Sequence, residues 1–298
     1  MTKVLVTGSS GQLGSFVCEL LVKGGNVAGL DIRPQPYSQL KGISLLGDIT
    51  KPADVREALA GVGAVIHCAA QVSVEKSLQD PLSDSTTNVL GTVNMLHESV
   101  QAGVRKFVYV SSAAVYGPPK RIPIDEDHPT HPMSNYGVSK LSGEKYALSY
   151  AGTSSMEVVA VRPFNFYSTR ADPDSPYSGV ITKFVNRLKA GKPPIIEGDG
   201  KQIRDFIHAR DVAEMLVMVL SKKGISGEVF NCGSGVSTSI LDLANRAIAV
   251  SGRALKPEFA APRIGDIKDS LSNSAKAAKL LGFKPKITLD DGLAELIR

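Results

Sequence analysis

The sequence predicts an α/β fold built on a doubly wound parallel sheet, with a smaller α/β lobe in the C-terminal half. In the first half, short runs rich in β-branched residues alternate with stretches of helical pattern. A glycine-rich turn follows the first of these runs, and after Arg162 prolines and glycines interrupt shorter helical patterns. We therefore expect one domain over residues 1–162 and a second lobe over residues 163–298, parts of which can return to the main sheet.

The predicted strands are short and apolar, and they are Lys3–Thr7, Asn26–Leu30, Ile43–Leu46, Ala64–His67, Lys106–Val110 and Glu157–Val161. Between and after them, apolar residues recur at helical spacing up to Val22 and over Thr86–Ala102, Asn135–Tyr150, Val180–Lys189, Arg210–Leu220, Thr238–Val250 and Ser274–Leu281. Parallel strands need such helical crossovers, so the alternation favours a parallel sheet over a meander.

The composition excludes several classes of protein. Lysine and arginine number 34 against 29 acidic residues, and this modest excess is spread along the chain, which disfavours nucleic-acid binding and suits an anionic small ligand. The 3 cysteines form no metal-binding or disulfide pattern. The N-terminus lacks the apolar segment of a signal peptide, and no apolar run approaches the ~18 residues of a membrane span. We expect a cytoplasmic protein with no metal, membrane or nucleic-acid partner.

The glycine turn predicts a dinucleotide site. Gly8, Gly11 and Gly14 lie between the first strand and the first helix, where they allow backbone amides to approach a pyrophosphate at the helix N-terminus. Asp31 ends the second strand about 20 residues after Gly11, where a carboxylate can hold the adenosine ribose and repel a 2′-phosphate. NAD is therefore favoured over NADP, although Asp31 also suits a capping role. Asp48–Ile49 can bracket the adenine, or form an ordinary turn.

A tyrosine, a lysine and a serine carry the predicted chemistry. Tyr136 and Lys140 lie one turn apart on a predicted helix, so the phenol and the ammonium share a face. A free tyrosine, with a pKa near ~10, is a poor base at neutral pH. A nearby lysine cation and a cationic nicotinamide would favour the phenolate, so that Tyr136 could accept a proton from a sugar hydroxyl. Ser112, at the end of a strand, could bind the same substrate oxygen. An exposed tyrosine and lysine without function is the alternative.

The chain resembles extended short-chain dehydrogenases/reductases, and within them the UDP-glucose 4-epimerases and their relatives that act on UDP-N-acetylhexosamines. The motifs that carry the resemblance are the glycine turn, Asp31, Asp48-Ile49, His67-Cys68-Ala69-Ala70, Asn88, Ser112, Tyr136 with Lys140, Arg162-Pro163-Phe164-Asn165, and Arg204-Asp205-Phe206-Ile207-His208. The resemblance implies a Rossmann domain that binds NAD, a lobe that binds a nucleotide sugar, and a reaction of galactose metabolism.

The resemblance also implies roles for single residues. It makes Ser112, Tyr136 and Lys140 catalytic. Its cofactor-binding residues are Gly8, Gly11, Gln12, Leu13, Gly14, Asp31, Ile32, Asp48, Ile49, Ala69, Ala70, Gln71, Asn88, Tyr136, Lys140 and Pro163. Its substrate-binding residues are Ser73, Ser112, Asn165, Val180, Lys183, Arg204, Arg263, Asp266 and Ser270. Asn88 and His67 can equally well be structural.

The residues after Ser112 bear on the reaction. Relatives that eliminate water or decarboxylate carry acidic residues there, whereas this chain has Ala113 and Ala114. Simple reversible oxidation at C4 remains: Tyr136 takes the hydroxyl proton, NAD holds the hydride, and the 4-keto sugar is reduced on its other face. Ser270 occupies a position where the family sets the size of the sugar pocket, so a small residue there hints that N-acetylated sugars also fit.

Three alternatives stay open. A UDP-glucuronate 4-epimerase or a 4-ketosugar reductase would share the fold, and a non-catalytic NAD-sensing protein is a rival of another class. The family expectation is a homodimer in which helices Thr86–Ala102 and Asn135–Tyr150 pack against their copies, but their apolar residues could equally face the sheet.

Overall fold

A computed structural model describes residues 2–172, 179–262 and 267–298. Its main sheet has 7 strands in the order β10-β6-β5-β4-β1-β2-β3, and neighbouring strands are parallel throughout. These strands are β1 (Lys3–Thr7), β2 (Val27–Asp31), β3 (Ser44–Leu46), β4 (Val62–His67), β5 (Lys106–Val110), β6 (Glu157–Pro163) and β10 (Val229–Cys232). The predicted doubly wound parallel sheet is confirmed.

Helices cover both faces of this sheet. Those of the first half are α1 (Gln12–Val22), α2 (Pro52–Ala58), α3 (Val74–Gln79), α4 (Pro81–Ser85), α5 (Gly91–Gln101) and α6 (Asn135–Thr153). Side chains alternate across each strand, so Val4 and Val6 enter one core cluster with α1, while Leu5 enters the opposite cluster with α2 and α5. Burial on both faces explains why the strands are almost continuously apolar.

The order of the strands places a ligand site. From β1 the chain winds outward to β2 and β3 on one side and to β4, β5 and β6 on the other. Ligands of open α/β sheets bind beyond the carboxyl ends of the strands where the winding direction reverses. Here that point lies between the end of β1, where Gly8 stands, and the end of β4, where Cys68 and Ala69 follow.

The second half contributes to the main sheet and forms two smaller ones. Strand β10 pairs with β6, and helix α8 (Ala209–Ser221) packs on α1. The small sheets contain β7 (Asn165–Tyr167), β8 (Ile195–Glu197), β9 (Ile203–His208), β11 (Ser237–Ser239), β12 (Glu258–Ala260) and β13 (Asp269–Ser270). The remaining helices are α7 (Val180–Lys189), α9 (Ile240–Ser251), α10 (Ala275–Leu281) and α11 (Leu289–Ile297). The boundary between 162 and 163 stays a prediction.

Two local features differ from the sequence expectation. The stretch Thr86–Ala102 is not one regular helix, because residues Thr86–Leu90 form a π-helical turn before α5 begins at Gly91. Strand β9 carries the polar residues Arg204, Asp205 and His208 without a regular alternation, and β7, β11 and β13 all pair with it. Along the described residues, no helix has the length and apolar character that crossing a bilayer requires.

Candidate active site

The glycine turn has the geometry that a pyrophosphate site needs. Gly8 has a φ of 68°, which favours glycine, and its carbonyl accepts a hydrogen bond from Gly11 N at 3.0 Å. A Cβ on Gly14 would lie 2.1 Å from the Gly8 carbonyl oxygen, so only glycine lets α1 approach the turn this closely. No side chain of the described residues caps the first turn of α1. Its amides are therefore suited to an anionic ligand, and the site fits a dinucleotide.

Asp31 stands beside this turn, at the end of β2, and is 8% exposed. Its carboxylate accepts hydrogen bonds from Ser10 N and Arg33 N, both at 2.9 Å. Asp31 thus shapes the glycine turn while retaining lone pairs for a ribose hydroxyl. Ile32 follows it and is 68% exposed, which leaves an apolar surface beside the turn.

Asp48 and Ile49 lie after β3. Asp48 Oδ1 accepts a hydrogen bond from Thr50 N at 2.9 Å, and Asp48 N donates to Asp54 Oδ2 at 2.8 Å. Ile49 is buried in the core cluster that contains α2. These contacts are those of an ordinary turn, so a role in binding adenine stays a prediction.

The end of β4 lies across from the glycine turn. Ala69 N donates to Thr7 Oγ1 at 3.1 Å, which ties β4 to β1 at this point. The ring of His67 contacts Thr7 Oγ1 at 2.7 Å and Thr92 Oγ1 at 3.2 Å. Burial, helped by the charge of Lys140, lowers the pKa of His67 to about 3. These contacts favour the structural interpretation of His67.

Asn88 lies in the π-helical turn and joins three parts of the site. Its Oδ1 accepts from Gln71 N at 2.8 Å, and its Nδ2 donates to Gln71 O at 2.9 Å. The same Nδ2 contacts Asp84 Oδ1 and Ser139 Oγ, each at 3.1 Å. Because its side-chain amide is engaged by the protein, Asn88 acts on the cofactor region by holding Gln71 and helix α6 together.

Ser112 and Tyr136 meet above the end of β5. Ser112 begins a short 3-10 turn, Ala113–Val115, and its Oγ accepts from Ala114 N at 3.1 Å. The Ser112 side chain lies within hydrogen-bonding reach of the Tyr136 phenol, and the turn that follows Ser112 packs on α6. Burial raises the pKa of Tyr136, the hydrogen bond with Ser112 opposes this, and the charge of Asp84 adds to the increase. The predicted pair of hydroxyl groups is therefore present, with a phenol that is neutral at physiological pH.

Lys140 lies one turn further along α6 and is 3% exposed. Its Nζ lies 4.5 Å from the centroid of the Tyr109 ring, a cation–π distance. Burial lowers the pKa of Lys140 to about 8, although the charges of Cys68, Glu144 and Asp84 favour the ammonium. Burial, Ser112 and Asp84 shift the pKa of Tyr136, and Lys140, which the sequence predicts to lower it, is not among these causes.

A buried ion pair supports the end of β5 from below. Arg162 Nε donates to Glu144 Oε2 at 2.9 Å, and both side chains are almost completely buried. Ser111 Oγ donates to the same Glu144 oxygen at 2.6 Å. Arg162 Nη1 donates to Tyr116 Oη, which in turn donates to Asn231 Oδ1. This network fixes the segment that carries Ser112 against α6 and β10.

Three of the residues predicted to bind substrate lie on or beside β9. Ser270 on β13 is the register partner of Arg204 on β9, so these two predicted substrate residues are neighbours. Asn165 on β7 is exposed, and its Nδ2 donates to Asp205 O at 3.2 Å. Asp205 accepts hydrogen bonds from Ser234 N and Ser272 N. The fold therefore brings Arg204, Ser270 and Asn165 together, although they are far apart in the sequence.

The contacts of several other predicted site residues do not point to a ligand. Val180 and Lys183 lie on the first turns of α7, where Lys183 is exposed, and Pro163 ends β6. Ser73 is 8% exposed, and its hydroxyl caps α3 by accepting from Lys76 N at 3.0 Å. Arg263 and Asp266 lie outside the described residues.

The sequence motifs did not assign Asp84, Glu144 or Asp205 a role. All three are buried carboxylates that hold the site together through hydrogen bonds. The sequence offered a signal for two of them: Glu144 follows Lys140 by one helical turn, and Asp205 lies within the motif that begins at Arg204.

Comparison with known proteins identifies relatives along nearly the whole chain. Residues 4–233 match the model of the NAD dependent epimerase/dehydratase family. The UDP-glucose 4-epimerase of Mycolicibacterium smegmatis is 36% identical over 99% of this chain and 97% of its own length.

Solved structures agree. A UDP-glucose 4-epimerase from Thermotoga maritima, crystallised with UDP-glucose, has a TM-score of 0.93 and 30% identity, covering 99% of this chain and 97% of its own. A UDP-glucuronic acid 4-epimerase from Bacillus cereus, in complex with UDP-glucuronic acid and NAD, has a TM-score of 0.87 and 31% identity, covering 99% of this chain and 98% of its own.

Proposed function

Since the chain belongs to the NAD dependent epimerase/dehydratase family, we propose that it is a 4-epimerase of UDP-hexoses that works through a transient 4-keto sugar. NAD is the cofactor of this family. UDP-glucose and UDP-galactose are the proposed substrate pair, and UDP-N-acetylglucosamine and UDP-N-acetylgalactosamine form a second proposed pair.

In this proposal the residues of the chain bind the cofactor, orient the sugar and deprotonate its C4 hydroxyl. Gly8, Gly14 and the first turn of α1 hold the pyrophosphate of the cofactor, and Asp31 binds its adenosine ribose. When bound, NAD supplies the acceptor, and then the donor, of the hydride at C4.

On the substrate, Tyr136 accepts the C4 hydroxyl proton at its phenol oxygen and returns it at the end of each turnover. Ser112 binds the same sugar oxygen, and Lys140 keeps positive charge near the phenol. Arg204 and Asn165 anchor the diphosphate, so that only the sugar rotates within the site and presents its other face.

The observation that carries the proposal is that the turn after Ser112 packs on α6, the helix of Tyr136 and Lys140, and contains no acidic residue. The side chains that follow Ser112 are Ala113 and Ala114, which form the 3-10 turn at the end of β5. No proton donor for expelling water stands in that turn. Reversible oxidation and reduction at C4 is the reaction that this set of residues supports.

Incubation of the purified protein with each of four UDP-sugars tests the proposal. The sugars are UDP-glucose, UDP-galactose, UDP-N-acetylglucosamine and UDP-N-acetylgalactosamine, and chromatography of the products reads the result. We expect each sugar of at least one pair to yield its C4 epimer, with no net change in NADH absorbance. Absence of interconversion in both pairs, with NAD bound, would contradict the proposal.

Ser270 tests the choice between plain and N-acetylated hexoses. A tyrosine at this position beside Arg204 would fill the proposed sugar pocket. It would disfavour N-acetylated over plain hexoses by about 1–3 kcal/mol. We expect Ser270→Tyr to lose turnover of the N-acetylated pair by ~10-fold or more while keeping that of UDP-glucose. Equal losses on both pairs would show that Ser270 does not set the size of the pocket.

A second candidate substrate is UDP-glucuronate, because a UDP-glucuronic acid 4-epimerase shares this fold at 31% identity. Adding UDP-glucuronate to the same incubation separates the two. A net oxidoreductase, such as a 4-ketosugar reductase, would instead consume added NADH in proportion to product. A non-catalytic NAD-sensing protein would convert none of these sugars.

The surface favours a homodimer as the assembled form. Leu78, Leu82 and Leu90 are 61%, 79% and 61% exposed, and Val138 on the adjacent helix α6 is 50% exposed. These side chains lie on α3, α4, the π-helical turn and α6, which contact one another. Burying such an apolar face against its copy would form a bundle of helices around the two-fold axis.

The location of the protein is inferred from its chemistry. Cys18, Cys68 and Cys232 are free thiols in the structure, and burial raises the pKa of each. Free thiols suit a reducing compartment. We therefore propose a cytoplasmic enzyme whose partners are a nucleotide sugar and its own copy, rather than nucleic acid or membrane.

A further inference from the structure

Among the described residues, one buried carboxylate differs from the others in the groups that stabilise its charge. Buried acids need a cation or backbone N–H donors, because desolvated charge is costly. The others have them: Asp31 accepts from Ser10 N, Glu98 pairs with Arg56, Glu144 with Arg162, Asp205 accepts from Ser234 N, and Asp211 accepts from Lys286 N. Asp84 is 0% exposed and accepts only from the side-chain amides of Gln71, at 2.8 Å, and Asn88, at 3.1 Å. Its Oδ2 has no hydrogen-bond partner within the described part of the chain.

Among the buried cations of the described residues, Lys140 likewise differs from the others in its partners. Lys106 is paired with Glu157, and Arg162 is paired with Glu144. Lys140 is buried to the same degree, but among the described residues no carboxylate forms an ion pair with it, and its Nζ lies over the Tyr109 ring. Within the described residues, the fold thus buries one anion and one cation that form no ion pair.

A short hydrogen-bond path joins the helix of the anion to that of the cation. Asn88 Nδ2 donates both to Asp84 Oδ1 on α4 and to Ser139 Oγ on α6. Ser139 lies next to Lys140, and its Oγ donates to Tyr136 O at 3.0 Å. Asp84 is therefore fixed against the part of α6 that carries both Tyr136 and Lys140.

Asp84 also fixes the loop that follows β4. Gln71 Nε2 donates to Asp84 Oδ1 and to Ser73 O at 2.9 Å, while Gln71 Oε1 accepts from Ser73 N at 2.6 Å. The side chain of Gln71 is thereby oriented by Asp84, and the backbone of Ser73 is oriented by Gln71. The loop has one conformation that satisfies all three contacts.

We propose that Asp84 is a positioning residue of this site: it is the buried counter-charge of the Lys140 ammonium and it orients the Gln71–Ser73 loop. The inference rests on the proposed roles of Tyr136 and Lys140. A cationic cofactor bound nearby would disfavour the ammonium, so a buried anion is needed to keep Lys140 charged during turnover.

The electrostatics of the site agree in direction. The charge of Asp84 raises the pKa of Tyr136, of Lys140 and of Tyr109, although burial is the largest influence on each. Three other titratable or charged groups face this cluster. His67 lies at the end of β4, Cys68 follows it, and Glu144 lies on α6. Glu144 is already neutralised by Arg162. Asp84 has a smaller effect on Lys140 than Glu144 has, but unlike Glu144 it is not paired with an arginine, so its removal takes an uncompensated negative charge from this cluster.

A double-mutant cycle on the holoenzyme tests the charge pairing without any substrate. Asp84→Asn keeps the volume and the acceptor for Gln71, but it removes the charge. We expect Asp84→Asn and Lys140→Met each to lower Tm, and the variant with both changes to melt higher than Asp84→Asn alone. If Asp84→Asn alone does not fold, recovery of folded protein on adding Lys140→Met is the expected result. A double variant that melts lower than both single variants overturns the proposal.

The titration of Tyr136 is the second readout. Ultraviolet difference spectroscopy after a rapid pH jump measures the absorbance of tyrosine phenolates. Subtracting the spectrum of the matching Tyr136→Phe variant leaves the signal of Tyr136. We expect its midpoint to move to lower pH in Asp84→Asn and to stay unchanged in Asp80→Asn, a control at the exposed cap of α4. An unchanged midpoint in Asp84→Asn overturns the proposal. Neither readout requires turnover, so failure of the proposed function would be seen separately, in the UDP-sugar incubations.

Discussion

Tyr136 and Ser112 show how single residues set the chemistry of the site. The sequence indicates that Lys140 activates the phenol, whereas in the structure burial dominates and raises the pKa of Tyr136. Burial also lowers the pKa of Lys140 to about 8, so the lysine is itself only partly charged in mildly alkaline solution. In the proposed reaction, the positive charge of the bound cofactor would therefore help to form the phenolate.

Tyr136→Phe removes the proposed base and leaves the shape of the site. We expect kcat to fall by ~10²–10⁴-fold, the usual contribution of a general base, while NAD binding is retained. Initial rates on UDP-sugars and titration calorimetry with NAD measure the two effects. Tyr146→Phe is the matched control, because Tyr146 lies on the same helix and is 48% exposed. Equal rates in both variants would remove Tyr136 from the mechanism.

His67 makes the stability of the protein depend on pH. Its pKa is lowered to about 3 in the folded protein, so between about pH 6.5 and this value only the unfolded chain binds the proton. The free energy of unfolding is therefore lost as the pH falls, by about 1.4 kcal/mol per pH unit from this group.

We expect His67→Gln to show a smaller loss of stability than the wild type between about pH 6.5 and pH 5 in urea unfolding. His97→Gln is the control, because His97 is exposed. The interpretation fails if the three proteins lose stability equally over this range.

At the scale of elements, α1 must approach the turn that precedes it. The Gly8 turn and the N-terminus of α1 are in backbone contact, which the absence of a Cβ at Gly14 permits. The sequence pattern predicts this element closely, because a glycine turn, a strand and an amphipathic helix are local features. By contrast, the π-helical turn Thr86–Leu90 depends on the contacts of Asn88 with Gln71 and Ser139 from other elements.

Gly14→Ala places a methyl group against the Gly8 carbonyl. We expect it to lower the free energy of unfolding by at least about 1–3 kcal/mol and to weaken NAD binding sharply. Gly152→Ala, at an exposed position of helix α6 with open space around it, should instead stabilise by about 0.5–1 kcal/mol. Urea unfolding and NAD titration measure both variants. Wild-type NAD affinity in Gly14→Ala would show that this turn is not the cofactor site.

At the scale of the whole molecule, the exposed leucines of α3, α4 and the π-helical turn determine the proposed assembly. They lie on helices that contact one another and α6. Met95 and Leu96, on the predicted helix Thr86–Ala102, are buried in the core cluster under the sheet, as the alternative open at the level of sequence had it, whereas Leu90 at the start of this stretch is exposed.

Leu82→Glu combined with Leu90→Glu would place two charges in the proposed interface. We expect light scattering to show a dimer for the wild type and a monomer for this variant, because burying unpaired carboxylates is costly. Phe259→Glu, on β12 and at a site that is 58% exposed, should leave the mass unchanged. A monomeric wild-type protein would refute the assembly.

By itself the sequence determined the fold class, the glycine turn between β1 and α1, and the placement of Tyr136 and Lys140 one turn apart on a helix. Each of these depends on residues close together in the chain, whose periodicity and turn chemistry act locally. The strands β1 and β5 and the helix α7 therefore have the predicted bounds.

Only the tertiary structure decided which distant residues meet. It paired Ser270 with Arg204, returned β10 to the main sheet, and buried Asp84 near Lys140 and Glu144 against Arg162. Register and burial arise from contacts between remote segments, and the cost of a buried charge depends on partners that the local sequence does not specify. For that reason the sequence could name the groups that react, but not the charges that surround them.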